Sequence, residues 1–176
     1  MSNSDTGLLL IDWQLRLFPA MSSAISDRYL KNASNLKWIF ESLQHPIWVT
    51  EQYPKGLGPT LKELQPVNPF EKTSFSALGN HELREKVLGS GIQTVFVSGM
   101  ETHICIYQTA KSLMKQGIKV VLAADACLSR RKLDWQIALD SLSGAGAEIM
   151  TTEMILFDLI QDASHPLFKE VSRRIK

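Results

Sequence analysis

TVFVSGMETHIC, Thr94–Cys105, reads as a buried strand that meets a glycine turn and, within one helical turn, presents a thiol. The run TVFVS is β-branched, aromatic and apolar enough for a strand covered on both faces. A buried structural cysteine needs no glycine approach, whereas a nucleophile does. Downstream the pattern repeats. Lys119–Ala124 (KVVLAA) and Glu148–Thr151 are strand-like, and they alternate with amphipathic helical stretches at His103–Gln116, Lys132–Ser143 and Glu153–Gln161.

Upstream, Gly7–Asp12 is a short apolar strand ending in a carboxylate, and Met21–Gln44 follows at helical period. Pro46–Thr50 is the next strand. The stretch EQYPKGLGPT after it carries two prolines and two glycines, which predicts a loop without regular structure. Phe70–Phe75 is a short extended segment. Asn80–Leu88 reads as a helix with Gly89 and Gly91 as stop signals. Ser164–Lys176 is a terminal helix whose Lys169, Arg173, Arg174 and Lys176 read as a solvated face. Alternating strands and helices imply right-handed crossovers, hence a doubly wound three-layer α/β/α fold with a mostly parallel sheet. Residues 1–176 are expected to form a single domain of this kind.

The composition is compatible with a small-molecule partner. Of 176 residues 44% are hydrophobic, and 19 basic residues face 18 acidic ones. Such a balance creates no strong field for nucleic acid or an anionic membrane. The amino-terminal MSNSDTGLLLID lacks a basic targeting region, and nowhere do the ~18 apolar residues of a membrane span occur, so a cytoplasmic location is expected. Two cysteines, Cys105 and Cys127, make no disulfide framework and lack the paired spacing of a zinc site.

Ligand crevices of open α/β sheets lie at the carboxyl ends of the strands. Asp12 ends the first strand, Lys72 lies in the extended EKTSF segment, and Cys105 opens a helix. The helix start favours a thiolate, and its free N–H groups can hold an oxyanion. Asp12 could then act as general base and Lys72 could hold the carboxylate ionised. The same residues also read as a small core hydrophobe, a helix cap and an exposed cation. Cys127, after another strand but without a glycine turn, reads as core or as a neighbour of the site. His45, His81, His103 and His165 show no metal-ligand spacing, and the GLG and GAG pairs lack a dinucleotide fingerprint, so no metal and no cofactor are expected.

LLLIDWQ with Asp12, KTSFSAL with Lys72, and Gly99, Thr102 and Cys105 in GMETHIC together resemble the isochorismatase-like cysteine hydrolases. TEQYPKGLGPT, EKTSFSA and DACLSRR are similar to the isochorismatase domain-containing subgroup. The resemblance implies a Cys105 nucleophile, Asp12 as base, Lys72 as the orienting charge, and a thioester released by water. It also implies a non-proline cis peptide at Met100–Glu101 that turns the Glu101 and Cys105 N–H groups toward one oxyanion. Family members acting on the isochorismate vinyl ether carry glycine where this chain has Cys105, so hydrolysis of a small amide, carbamoyl or related acyl C–N substrate fits better. Nicotinamidases carry a metal motif where this chain has TEQYPKGLG, which disfavours that activity.

Trp13, Tyr53, Phe75, Glu101 and His103 are the candidate substrate contacts, although the aromatics read equally as core or subunit interface. Glu51 reads either as a pocket carboxylate or as a partner of Lys55 in solvent. The family resemblance implies a homo-oligomer, a dimer or tetramer. The rival readings are a catalytically silent binding or scaffold protein of the same fold, a nicotinamidase-like amidase, and a redox thiol protein with Cys127 as resolving cysteine.

Overall fold

A computed structural model describes residues 5–65 and 68–176; residues 1–4, part of the stretch read for targeting signals, lie outside them. Six strands form one sheet in the order β3-β2-β1-β4-β5-β6. They are β1 (Thr6–Ile11), β2 (Ile47–Gln52), β3 (Phe70–Lys72), β4 (Thr94–Met100), β5 (Lys119–Leu128) and β6 (Glu148–Met150). Every neighbouring pair is parallel. The helices are α1 (Ser26–Ser42), α2 (Pro54–Leu57), α3 (His81–Gly89), α4 (Tyr107–Lys115), α5 (Lys132–Gly144), α6 (Thr152–Ile160) and α7 (Phe168–Arg174). None among the described residues is long and apolar enough to cross a membrane.

Side-chain alternation along the strands builds two cores, one on each face. Leu8 and Leu10 of β1 pack under α1, α6 and α7, with Leu36, Phe40, Ile155 and Val171. Leu9 and Ile11 turn the other way, toward Leu83 of α3, Leu113 of α4 and Leu142 of α5. Continuous apolar strands are what a sheet covered twice requires.

The order of strands reverses between β1 and β4, so the crevice at their carboxyl ends is the topological switch point. Gly99 is required there by close approach. A Cβ on it would stand 2.2 Å from the Ile11 carbonyl oxygen of the neighbouring strand. The β4–β5 register also shifts between Val97 and Gly99.

Several expected boundaries move. β2 runs on through Glu51 and Gln52, and Pro54–Leu57 forms one helical turn, so EQYPKGLGPT is partly regular. Proline at the first helical position explains the turn, because its missing N–H is not needed there. β5 extends to Leu128 and therefore contains Cys127. The segment expected as a helix from His103 begins as a π-helical turn, Thr102–Ile106, before α4. The terminal helix is confined to Phe168–Arg174.

Candidate functional site

Asp12 leaves β1 with φ of 53°, a left-handed conformation that aspartate tolerates better than most residues. Its N–H donates to the Thr50 carbonyl at 3.1 Å and the Thr50 hydroxyl donates to its Oδ1 at 2.7 Å. Lys72, at the end of β3, donates from Nζ to Asp12 Oδ2 at 2.7 Å and to Gln52 Oε1 at 2.7 Å. The Ser74 and Phe75 carbonyls lie 3.3 Å from the same nitrogen. Parallel pairing places Gln52 beside Lys72, and strand alternation puts Thr50 on the same side as Gln52. Removing both charges from water is expensive, and this dense set of short polar contacts offsets that cost.

Cys105 joins the pair from the π-helical turn after β4. The charges of Asp12 and Lys72 both act on its thiol. Burial pushes the thiol up to about 12; the Asp12 carboxylate adds to the rise and the Lys72 ammonium opposes it. Burial thus opposes the thiolate that the helix start and Lys72 are expected to favour. Desolvation and the neighbouring Asp12 carboxylate outweigh the Lys72 ammonium and favour the neutral thiol. Cys127 is wholly buried, and its thiol is raised by desolvation too.

The peptide between Met100 and Glu101 is cis. The turn that follows is clamped from several sides. The Thr102 hydroxyl donates to the Leu128 carbonyl at 2.9 Å, and the Thr109 hydroxyl donates to the Cys105 carbonyl at 2.6 Å. Arg130 Nε donates to the buried Glu101 carboxylate at 2.6 Å. His103 Nδ1 is 3.0 Å from the Ser129 hydroxyl, and its Nε2 is 4.0 Å from Asp134.

The expected aromatic walls divide. Trp13 is fully buried in the core under α1, with its indole N–H donating to Ser98 Oγ at 3.2 Å, so it is not a wall. Its place in the chain one residue beyond Asp12 turns it to the opposite side. Phe75 exposes half of its surface, and what it brings to Lys72 is its carbonyl oxygen. Tyr53 is exposed and lines a shallow cleft with Lys72, Glu71 and Thr73. Glu51 takes neither role expected of it, because its Oε1 is buried and accepts from the N–H and hydroxyl of Thr60, each at 2.7 Å. Among the described residues no three His, Cys, Asp or Glu side chains converge as a metal site.

Thr50, Gln52, Ser129 and Arg130 were not singled out from sequence. Thr50 and Gln52 alternate along β2, and alternation was the available signal; strand order alone tells which neighbours they face. The TEQYPKGLG loop is held down by Gln14, whose Nε2 donates to the Gly58 carbonyl at 2.7 Å, and by Arg16, which donates to the Gly56 carbonyl at 3.0 Å.

Residues 6–154 match the model of the isochorismatase domain family. The mouse isochorismatase domain-containing protein 2A is 38% identical over 172 residues, 96% of this chain and 82% of that protein. A solved Caenorhabditis elegans structure, described as MAR1 ribonuclease, is 31% identical with a TM-score of 0.90, covering 99% of this chain and 91% of its own. The Escherichia coli YcaC protein, described as an octameric hydrolase of unknown specificity, shares the fold with a TM-score of 0.92 at 22% identity, over 99% of this chain and 89% of its own.

Proposed function

The chain belongs to the isochorismatase domain family of hydrolases, and from that membership we propose that it cleaves the acyl C–N bond of a small amide, carbamoyl or related compound through a Cys105 thioester. The observation that carries this reading is the buried convergence of Asp12, Lys72 and Cys105 at the switch point of the sheet. A thiol held neutral beside a carboxylate suits a mechanism in which the proton leaves only as sulfur attacks.

In the first step the S–C bond forms while the thiol proton passes to Asp12. The carbonyl oxygen becomes an oxyanion, held by the backbone N–H groups of Glu101 and Cys105. Asp12 then returns the proton to the departing nitrogen, the C–N bond breaks and a thioester remains. In the second step Asp12 takes a proton from water as that water attacks the thioester. Collapse breaks the S–C bond, and Asp12 passes the proton it took from water to the departing sulfur, which restores the thiol and the carboxylate. Lys72 holds Asp12 in place through their 2.7 Å ion pair. His103 and Tyr53 are the side chains proposed to contact substrate beside this centre, with Glu101 carrying its backbone donor. The charges come from Asp12 and Lys72, and the scheme uses no metal or cofactor. A homo-oligomer, dimer or tetramer, is part of the same proposal, supported by the octameric description of YcaC.

The test is a screen of small amides and carbamoyl compounds with native protein and Cys105→Ala, followed by intact mass measurement during turnover. Release of ammonia or amine by the native protein alone, with an acyl adduct on Cys105, is expected. RNA belongs in the screen because of the ribonuclease description of the C. elegans relative. RNA cleavage that survives Cys105→Ala, with no amide turned over, would overturn the reading.

A further inference from the structure

A cavity of about 530 Å³ opens over the carboxyl end of β5, between the start of α1 and the start of α5. Neither Asp12, Lys72 nor Cys105 lines it. Its wall carries three cations, Arg28, Arg130 and Lys132, and no acidic residue. In a chain with 19 basic and 18 acidic residues, that is a local concentration of one sign.

The three cations are not equivalent. Arg130 is committed to the buried Glu101 carboxylate at 2.6 Å and also feels Asp134. Arg28 and Lys132 have no salt-bridge partner among the described residues. The Arg28 guanidinium lies 5.8 Å from the centre of the Tyr29 ring, which keeps its charge over the aromatic side of the cavity. Of the acids nearby, Asp125 acts on Tyr29 and is occupied by the Thr152 N–H and hydroxyl.

The remaining lining is mostly apolar, with Ser22 and Ser129 adding hydroxyls. Tyr29 and Trp135 contribute rings, and Ile25 and Leu128 contribute aliphatic surface. The Trp135 indole is anchored by donating to the Ala124 carbonyl at 3.3 Å. A site of this size with apolar walls and a few convergent polar groups is the usual form of a small-molecule pocket. A guanidinium pairs with a carboxylate in its own plane, and an ammonium adds a point charge.

We propose that this cavity binds a small planar organic carboxylate, with the anionic end between Arg28 and Lys132 and the flat body between Tyr29 and Trp135. The assignment does not depend on the chemistry of Cys105. Its walls are joined to the Cys105 turn through Arg130–Glu101 and Ser129–His103, so an occupant lies against the back of that turn.

Benzoate is the probe, with benzamide as its neutral counterpart and inorganic phosphate as an anion without a flat body. Binding is followed by calorimetry and by chemical-shift changes of the Trp135 indole N–H. Saturable benzoate binding is expected, with benzamide and phosphate each at least about tenfold weaker, which corresponds to about 1.4 kcal/mol. Arg28→Gln and Lys132→Gln replace exposed side chains, so the fold is retained, as circular dichroism will verify. Each should weaken benzoate by about tenfold, whereas Cys105→Ala should bind as the native protein does. Equal binding of benzoate and benzamide would overturn the proposal. So would preference for phosphate, indifference to both substitutions, or loss of binding in Cys105→Ala.

Discussion

Lys72 Nζ lies 2.7 Å from Asp12 Oδ2 with both side chains wholly excluded from solvent. Removing one partner of such a pair leaves a buried charge unanswered, a loss of about 3–5 kcal/mol. Lys72→Met should therefore destabilise the fold strongly. Asp12→Asn/Lys72→Met should cost less than the sum of the single substitutions, because neither charge is then stranded. Urea unfolding of the four proteins measures the coupling. Additive losses would show that the two charges do not answer one another.

Turnover should respond differently. Asp12→Asn removes the proposed base and should slow the reaction by roughly 10²–10⁴-fold. Cys105→Ala should remove the covalent route, and adding Asp12→Asn to it should cost little more. Single-turnover rates on the substrate found by screening decide it; multiplicative losses would indicate independent roles.

Cys105 is the more exposed of two protonated thiols, 6% against 0% for Cys127. Iodoacetamide should label Cys105 first, with a rate that rises about tenfold per pH unit from pH 7 to 9 as thiolate grows toward its pKa. Asp12→Asn withdraws a charge that raises this pKa. It should therefore speed labelling at fixed pH while slowing turnover. Peptide mapping after brief alkylation distinguishes the sites, and slower labelling in Asp12→Asn would contradict the electrostatic role given to the carboxylate.

The same pKa makes stability depend on alkali. A free cysteine thiol ionises near 9 when unfolded, whereas Cys105 in the fold holds its proton to about 12. Below 9 both states are protonated and the contribution is fully present; it is lost as pH rises from 9 to 12, at about 1.4 kcal/mol per unit. The urea midpoint of the native protein should fall more steeply between pH 9 and 10.5 than that of Cys105→Ala. Parallel slopes would mean that the folded thiol is not shifted.

Activity should be unchanged by dialysis against EDTA and by restoring zinc, manganese or iron. The residue that stands where metal-using relatives place ligands, Glu51, already accepts two hydrogen bonds from Thr60. A stoichiometric metal whose removal abolishes turnover would return the nicotinamidase-like reading to contention.

Sequence by itself determined the layer order of this protein. Apolar runs of strand length, separated by stretches at helical period, can be buried only in a sheet covered on both faces, and chirality then restricts the crossovers. The candidate residues Asp12, Lys72 and Cys105 were legible because they sit at strand ends or on a glycine turn, where such a sheet collects its chemistry. Tertiary structure decided their partners and their charge. Thr50 and Gln52 meet Asp12 and Lys72 only through strand pairing, and Arg130 meets Glu101 across two elements that local pattern does not connect. The protonation of Cys105 was decided there too. A helix start is a local feature that favours a thiolate, but desolvation and the field of Asp12 exist only once the chain has closed around the sulfur, and there they prevail.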